Sequence, residues 1–257
     1  MSWATRRRFV ILLVIGAIVV AFIAIISVAT LYKTPSCSDG VQNQNEDGID
    51  CGGSCMYLCT AQVQPPTVLF TKAFTDVTTG RTVVAASIEN KNNNAAAKNV
   101  PYRVIVYGVN QSLIQTVSGT FDLPPRATAT VFIPGIVSGR QRAVSAFLSM
   151  DTSSIKWFTM RVDPRIMPGV SNIIKNGTPD TPRIEAILAN GSTLMLTNVL
   201  VVILVRNVQK DVIAASQTIV PVIGPQSTAS AIFTWNSAFP DAPASIEVEP
   251  VIPLPGW

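Results

Sequence analysis

Residues 99–110 read NVPYRVIVYGVN, and residues 198–209 read NVLVVILVRNVQ. The two stretches align at an offset of 99. A second pair, LPPRATATVFIP at 123–134 and IGPQSTASAIFT at 223–234, aligns at an offset of 100. A third, IEN at 88–90 and LAN at 188–190, keeps that offset. An internal period near 100 residues is the size of one immunoglobulin-like β-sandwich, and a one-residue drift is an ordinary change of loop length. The residues support this reading. Val100, Tyr102, Val104 and Val106 alternate onto one face of a strand, as do Val199, Val201, Ile203 and Val205. Their opposite faces carry Ile105 and Tyr107, or Leu200, Val202 and Leu204, so both strands are expected in the middle of a sheet.

From Thr67 onward no segment keeps an apolar period of 3.6 over a helical length. Short runs of Val, Ile, Thr and Phe alternate instead with Gly, Pro and Asn clusters. The expected fold class is all-β: two tandem Ig-like β-sandwich domains, preceded by one transmembrane helix and a short disulfide-rich segment. The boundaries drawn from composition are 1–33 for a basic tip and membrane helix and 34–63 for a cysteine-rich stalk. Residues 64–163 form the first sandwich, and 164–257 the second with a Pro-rich tail. AQVQPP (61–66) reads as an extended linker, and DPRIMPGVSNIIKNGTPDTP (163–182) as the stretch spanning the domain boundary.

At the N-terminus, Phe9 to Leu31 is an unbroken apolar run. Its 23 residues at a helical rise of ~1.5 Å per residue suffice to cross a hydrocarbon core of about 30 Å. Trp3 and Tyr32 flank it where aromatic rings favour the headgroup layer. Arg6, Arg7 and Arg8 precede it and Lys33 follows, so the positive-inside bias keeps the N-terminus cytoplasmic and exports the rest. Ser27-Val28-Ala29 resembles a signal cleavage site, but the run is longer than a signal h-region and an uncleaved anchor is expected. Of 19 basic residues, four belong to the anchor and its flanks, leaving 15 against 15 acidic ones. With no basic patch, nucleic acid is not an expected partner.

The four cysteines, Cys37, Cys51, Cys55 and Cys59, fall together just after the apolar run. In an oxidising compartment an even cluster reads as disulfides, with three pairings open. Zinc is disfavoured by the spacing and by the absence of histidine. Asn43-Gln44-Asn45-Glu46-Asp47-Gly48 repeats the alternating oxygens and turn glycine of a calcium loop. Calcium is therefore carried as an optional ligand of Asp39, Asn43, Asn45, Asp47 and Asp50. Against this, Asn replaces the usual first Asp, and Ser54 stands where a bidentate Glu belongs. The competing reading is an acidic turn in which Gly40, Gly48, Gly52 and Gly53 supply positive φ angles.

Taken with its neighbours, Cys37-x-Asp39-Gly40-x-Gln42-Asn43, followed by Glu46-x-Gly48-x-Asp50-Cys51-Gly52-Gly53-x-Cys55 and Cys59, resembles a short cysteine module of exported bacterial proteins. The resemblance implies an extracytoplasmic, disulfide-bonded stalk element and no defined activity. The strand pattern of the first sandwich resembles FxLYD-type and late-embryogenesis-type envelope domains, which implies fold and location without a ligand site.

No catalytic constellation is visible. Histidine is absent, and no nucleophile elbow, P-loop or dinucleotide fingerprint occurs. Glu247 and Glu249 alternate on an expected last strand and read as its wet face. Asn110-Gln111-Ser112, Asn176-Gly177-Thr178 and Asn190-Gly191-Ser192 fit the glycosylation pattern but also ordinary turn chemistry, which is preferred. The expected function is non-enzymatic: a membrane-anchored structural or adhesive protein whose partner is another envelope or surface protein, or itself. The alternatives are an accessory subunit of a secretion, pilus or transport assembly, and an enzyme with an unrecognised site.

Overall fold

The computed structural model describes residues 3–31, 36–76, 78–137 and 142–256. They divide into two compact units, 1–56 and 57–257. The first unit opens with helix α1 (Trp3–Leu31), whose segment Arg6–Ala29 is long and apolar enough to cross a membrane. Its apolar side chains are exposed along nearly the whole length. The helix begins before the apolar run and takes in the three arginines, with the Arg7 guanidinium 5.5 Å from the centre of the Trp3 ring. Tyr32 and Lys33, the expected far flank, lie outside the described residues.

The second unit is all-β. Its strands are β1 (Thr67–Thr75), β2 (Arg81–Glu89), β3 (Ala95–Gly108), β4 (Leu113–Leu123), β5 (Thr128–Val137), β6 (Ala143–Ser149) and β7 (Trp157–Thr159). They continue as β8 (Gly169–Gly177), β9 (Pro182–Asn190), β10 (Leu196–Arg206), β11 (Val212–Ile223), β12 (Ser227–Thr234) and β13 (Ser245–Val251). The duplication read from the sequence is now a duplication of topology. Sheet A of the first sandwich runs β1-β2-β5, and sheet A of the second runs β8-β9-β12. Sheet B runs β4-β3-β6 in the first and β11-β10-β13 in the second. All pairings are antiparallel, and β7 adds a short strand beside the start of β3. The second sandwich thus has six strands among the described residues, fewer than the seven of an immunoglobulin constant domain.

Each sandwich has its own core. Val100, Val104 and Val106 of β3 bury with Val84, Ile88, Leu123 and Trp157. Val199, Val201, Ile203 and Val205 of β10 bury with Ile184, Leu188, Ile223 and Phe233. The central placement of β3 and β10 agrees with their two-sided apolar pattern. A third cluster lies between the sandwiches. Val202, Leu204, Val212 and Ala215, from sheet B of the second, bury with Ala85 from sheet A of the first, and Phe70, Phe74 and Phe132 pack against them. Val202 and Leu204 are apolar because a second sheet, not water, covers them. At roughly 1.5–3 kcal/mol for each fully buried aliphatic side chain, this contact is a substantial part of the fold.

Three boundary expectations change. Residues 57–64 are docked on the first sandwich and do not form a free linker. Leu58 and Val63 pack on its core, Tyr57 bridges to Phe158, and Gln64 and Asn92 exchange two hydrogen bonds of 2.8 Å. Nine of the twenty residues of the 163–182 boundary stretch form an edge strand, β8. The Pro-rich tail returns to the first sandwich, where Leu254 buries with Ala96, Phe158 and Met160.

Candidate functional site

A cleft of about 680 Å³ lies between the sandwiches. Tyr102 and Phe121 form one wall, their rings 5.9 Å apart. The tail around Pro250–Pro253 forms the other, with Thr130 and Glu249 on the floor. The Thr130 hydroxyl donates to the Glu249 carboxylate across the sandwich junction. Burial pushes the Glu249 carboxyl above its ordinary range and the Glu247 charge adds to this, while Thr130 and Arg206 pull the other way. Glu249 is therefore not on a wet face as its sequence position suggests, because that face of β13 turns toward the first sandwich. Glu247 is the more exposed of the two and pairs with Arg206 at 2.9 and 3.2 Å.

The other polar groups around the cleft hold the chain itself. Arg165 pairs with Asp163 at 2.7 Å and donates to the Ile252 carbonyl at 2.6 Å. Its hydrogen bonds hold the Asp163 carboxyl below the usual range. The Asp122 carboxylate accepts from the Asn99 and Leu254 backbone N–H groups at 2.8 and 2.7 Å. Burial raises the Tyr102 phenol, which packs over Gly119; a Cβ there would lie 2.6 Å from its oxygen. Arg165 and Asp122 thus act as ties for the C-terminal tail. Thr130 faces a carboxylate whose proton affinity is raised by burial, with no histidine or lysine lining the cleft to complete a relay.

A smaller cavity of about 270 Å³ lies where the ends of β1 and β2 meet β11 and β12. Asp76 there accepts from Thr78, Thr79 and Asn236, joining a turn of the first sandwich to a loop of the second.

The cysteine module, apart from Cys59, belongs to the other unit. Cys37 and Cys55 form a disulfide with Cα atoms 5.6 Å apart, Cys51 and Cys59 are also disulfide-bonded, and no cysteine is free. Closing a loop of this length removes roughly 3 kcal/mol of unfolded-chain entropy. The acidic residues turn inward on the module's own backbone. Asp39 accepts from Ser36 and Val41 N–H groups and from the Asn43 amide, and Asp50 from the Gly40 N–H. Asp47 accepts from the Gly53 N–H, and the buried Glu46 from those of Asn43 and Asp50.

In this arrangement the carboxylates of the calcium expectation are engaged by the module itself. Asp39, Asp47 and Asp50 do not form a three-carboxylate cluster among the described residues. The one cluster of acidic or sulfur ligands among the described residues is Cys37, Glu46 and Cys55, and its two sulfurs are spent in the disulfide. The Asn43 Oδ1 is buried and unpaired next to Asp39, but one amide oxygen and one carboxylate fall short of a six- to eight-oxygen shell. Asn45 instead takes a left-handed turn at φ 67°, with Gln44 and Asp50 doing likewise. Gly48 does not supply a positive φ; it bridges to Cys51. Gly53 does (φ +55°), and a Cβ there would lie 1.8 Å from the Asn45 carbonyl oxygen, so the second glycine of the Cys-Gly-Gly turn is required sterically.

The sequence offered one signal whose role only the structure shows. Asn90 and Asn190, the paired residues of IEN and LAN, are buried in equivalent places. The Asn90 amide donates to the carbonyls of Ala95 and Pro124, and its oxygen accepts from the Asn92 N–H. The Asn190 amide donates to Leu194, Ile223 and Gly224, and its oxygen accepts from the Ser192 N–H and hydroxyl. Each asparagine closes the end of a sheet-A strand onto two sheet-B segments. Asn190 is therefore a structural bracket, in agreement with the turn reading of its glycosylation-like triplet.

No family model and no curated protein match this chain. Among solved structures, the crystal structure of red sea bream transglutaminase is similar at 11% identity and a TM-score of 0.28. The match covers 73% of this chain and 29% of that one, so the chain spans less than a third of that protein's length.

Proposed function

We propose that this chain is a single-pass, membrane-anchored, non-enzymatic protein that presents a two-sandwich β unit outside the cytoplasm for contact with another surface or envelope protein. The observation that carries this reading is the pairing of one lipid-suited helix with a β unit whose polar cleft groups are engaged in holding its own tail and junction. The three arginines at the helix start support a cytoplasmic N-terminus. The bonded cysteines support an oxidising compartment, as does the stalk-module resemblance. The sandwich junction supports a presenting role, since a platform held by a buried contact keeps its outer faces in fixed relation.

The test uses the full chain in its host membrane. After alkaline carbonate extraction it is expected in the membrane fraction with its N-terminus intact. In sealed inside-in vesicles the β unit should be open to external protease. Recovery in the soluble fraction, or a mature N-terminus near residue 30, would overturn the anchor. Protection of the β unit would overturn the orientation.

A further inference from the structure

The junction between the sandwiches has a direction. Sheet A of the first meets sheet B of the second, so the two halves use unlike faces of a shared architecture. Such a heterologous contact leaves one face of each kind unused: sheet B of the first sandwich and sheet A of the second. A contact of this type joins unlike faces and can be repeated from one molecule to the next, staying open unless the rotation closes a ring.

Strand pairing identifies the counterparts. Val202 pairs with Glu249 as Arg103 pairs with Ser149, and Leu204 pairs with Glu247 as Ile105 pairs with Phe147. On the other sheet, Ala85 pairs with Phe132 as Glu185 pairs with Ile232, and Ser87 with Thr130 as Ile187 with Ser230. Ala85 and Val202, which bury in one cluster at the internal junction, thus become Glu185 and Arg103 on the free faces. Thr130 and Glu249, hydrogen-bonded across the junction, become Ser230 and Ser149. At matching places the free faces carry Arg103 on one and, on the other, Glu185, which lies 3.6 Å from Arg183 of its own strand and would exchange or share that partner with Arg103. Exposed apolar side chains surround them, Phe147 at 62% and Ile174 at 51%.

We propose that sheet B of the first sandwich in one copy stacks on sheet A of the second sandwich in another, repeating between chains the contact each makes within itself, with Arg103 opposite Glu185. This names a second copy of the chain as the partner of the presenting role above, but it does not depend on the anchor. The repeated contact is weaker than the internal one, because Phe70, Phe74 and Phe132 of the internal face correspond to Ser171, Asn176 and Ile232. It is a reversible, open-ended association in which the charge pair sets register.

The test is site-directed cross-linking of the full chain in detergent micelles, where loss of membrane anchorage would not affect the outcome. Because the native cysteines are bonded, a short bismaleimide reacts only with introduced thiols. A mixture of the Ser149→Cys and Ser230→Cys variants should give dimers, and neither variant alone should. A chain carrying both substitutions should give a ladder. Adding Arg103→Glu should lower the yield by at least about fivefold, and Glu185→Arg in the opposing copy should restore it. Each variant must first melt like the parent chain. No adduct from the mixture would overturn the proposal. So would equal adduct from either single variant, or a yield indifferent to charge reversal.

Discussion

Ile105 and Leu204 hold the same place in the two sandwiches, on the outer face of sheet B, one strand in from each edge. Leu204 is 1% exposed beneath the first sandwich, whereas Ile105 is only half-buried. The neighbouring residues follow suit: Val202 against Arg103, and Ala215 against Thr116. Strand order and the bracketing asparagines are shared, so the shared features specify the sandwich. The differences specify what lies against it. A duplicated domain therefore carries its own control: wherever the copies agree the cause is fold, and where they diverge the cause is contact.

The largest expected effect comes from breaking that contrast directly. Leu204→Ala removes a fully buried side chain at the junction and should cost about 3 kcal/mol, while Ile105→Ala should cost about 1 or less. Urea unfolding of the full chain measures both. Equal losses would mean that the junction does not bury Leu204 in solution.

The agreement between the copies can be tested by the bracketing asparagines. Asn90→Ala removes the amide partner of the buried Ala95 and Pro124 carbonyls and the acceptor of the Asn92 N–H, and Asn190→Ala does the same to the Ile223 and Gly224 carbonyls and the Ser192 N–H. Each should cost about 2 kcal/mol, and the two losses should match to within about 1. A large difference in thermal or urea unfolding would mean that the brackets do not play equivalent parts.

These particulars show how much was legible in the sequence. The strand faces of β3 and β10 could be read because valine alternation reports burial directly, and the period of 100 could be read because both copies kept it. The IEN and LAN pair was visible as a match, but its role was not, since a buried asparagine and a turn asparagine look alike until their carbonyl partners are placed. The stacking of the sandwiches was hidden for another reason. Val202 and Leu204 report only that something covers them, and the cover, Ala85 with its phenylalanine neighbours Phe70, Phe74 and Phe132, lies in the other sandwich, far off in sequence. Spacing alone left two readings of the acidic module open: a loop that brings carboxylates close in sequence can aim them at its own N–H groups as readily as at a cation.

The smallest expected effect is also the most specific to the covered face. Glu249 lies at the junction, where its counterpart is the uncharged Ser149. Burial raises its carboxyl above the ordinary value, with Glu247 raising it further and Thr130 and Arg206 opposing. The folded chain thus holds this proton more tightly than the unfolded one. Its stabilising contribution is fully present below the unfolded carboxylate range and is lost as pH rises through the folded value. Glu249→Gln keeps an acceptor for the Thr130 hydroxyl and removes the titration. Melting temperatures measured from about pH 4 to pH 8, a window starting near the ordinary glutamate value, should show the parent chain falling relative to Glu249→Gln as pH rises. Ser149→Ala, at the uncovered counterpart, should track the parent at every pH. If the parent and Glu249→Gln curves stay parallel, the carboxylate is hydrated and the floor of the cleft is open to water.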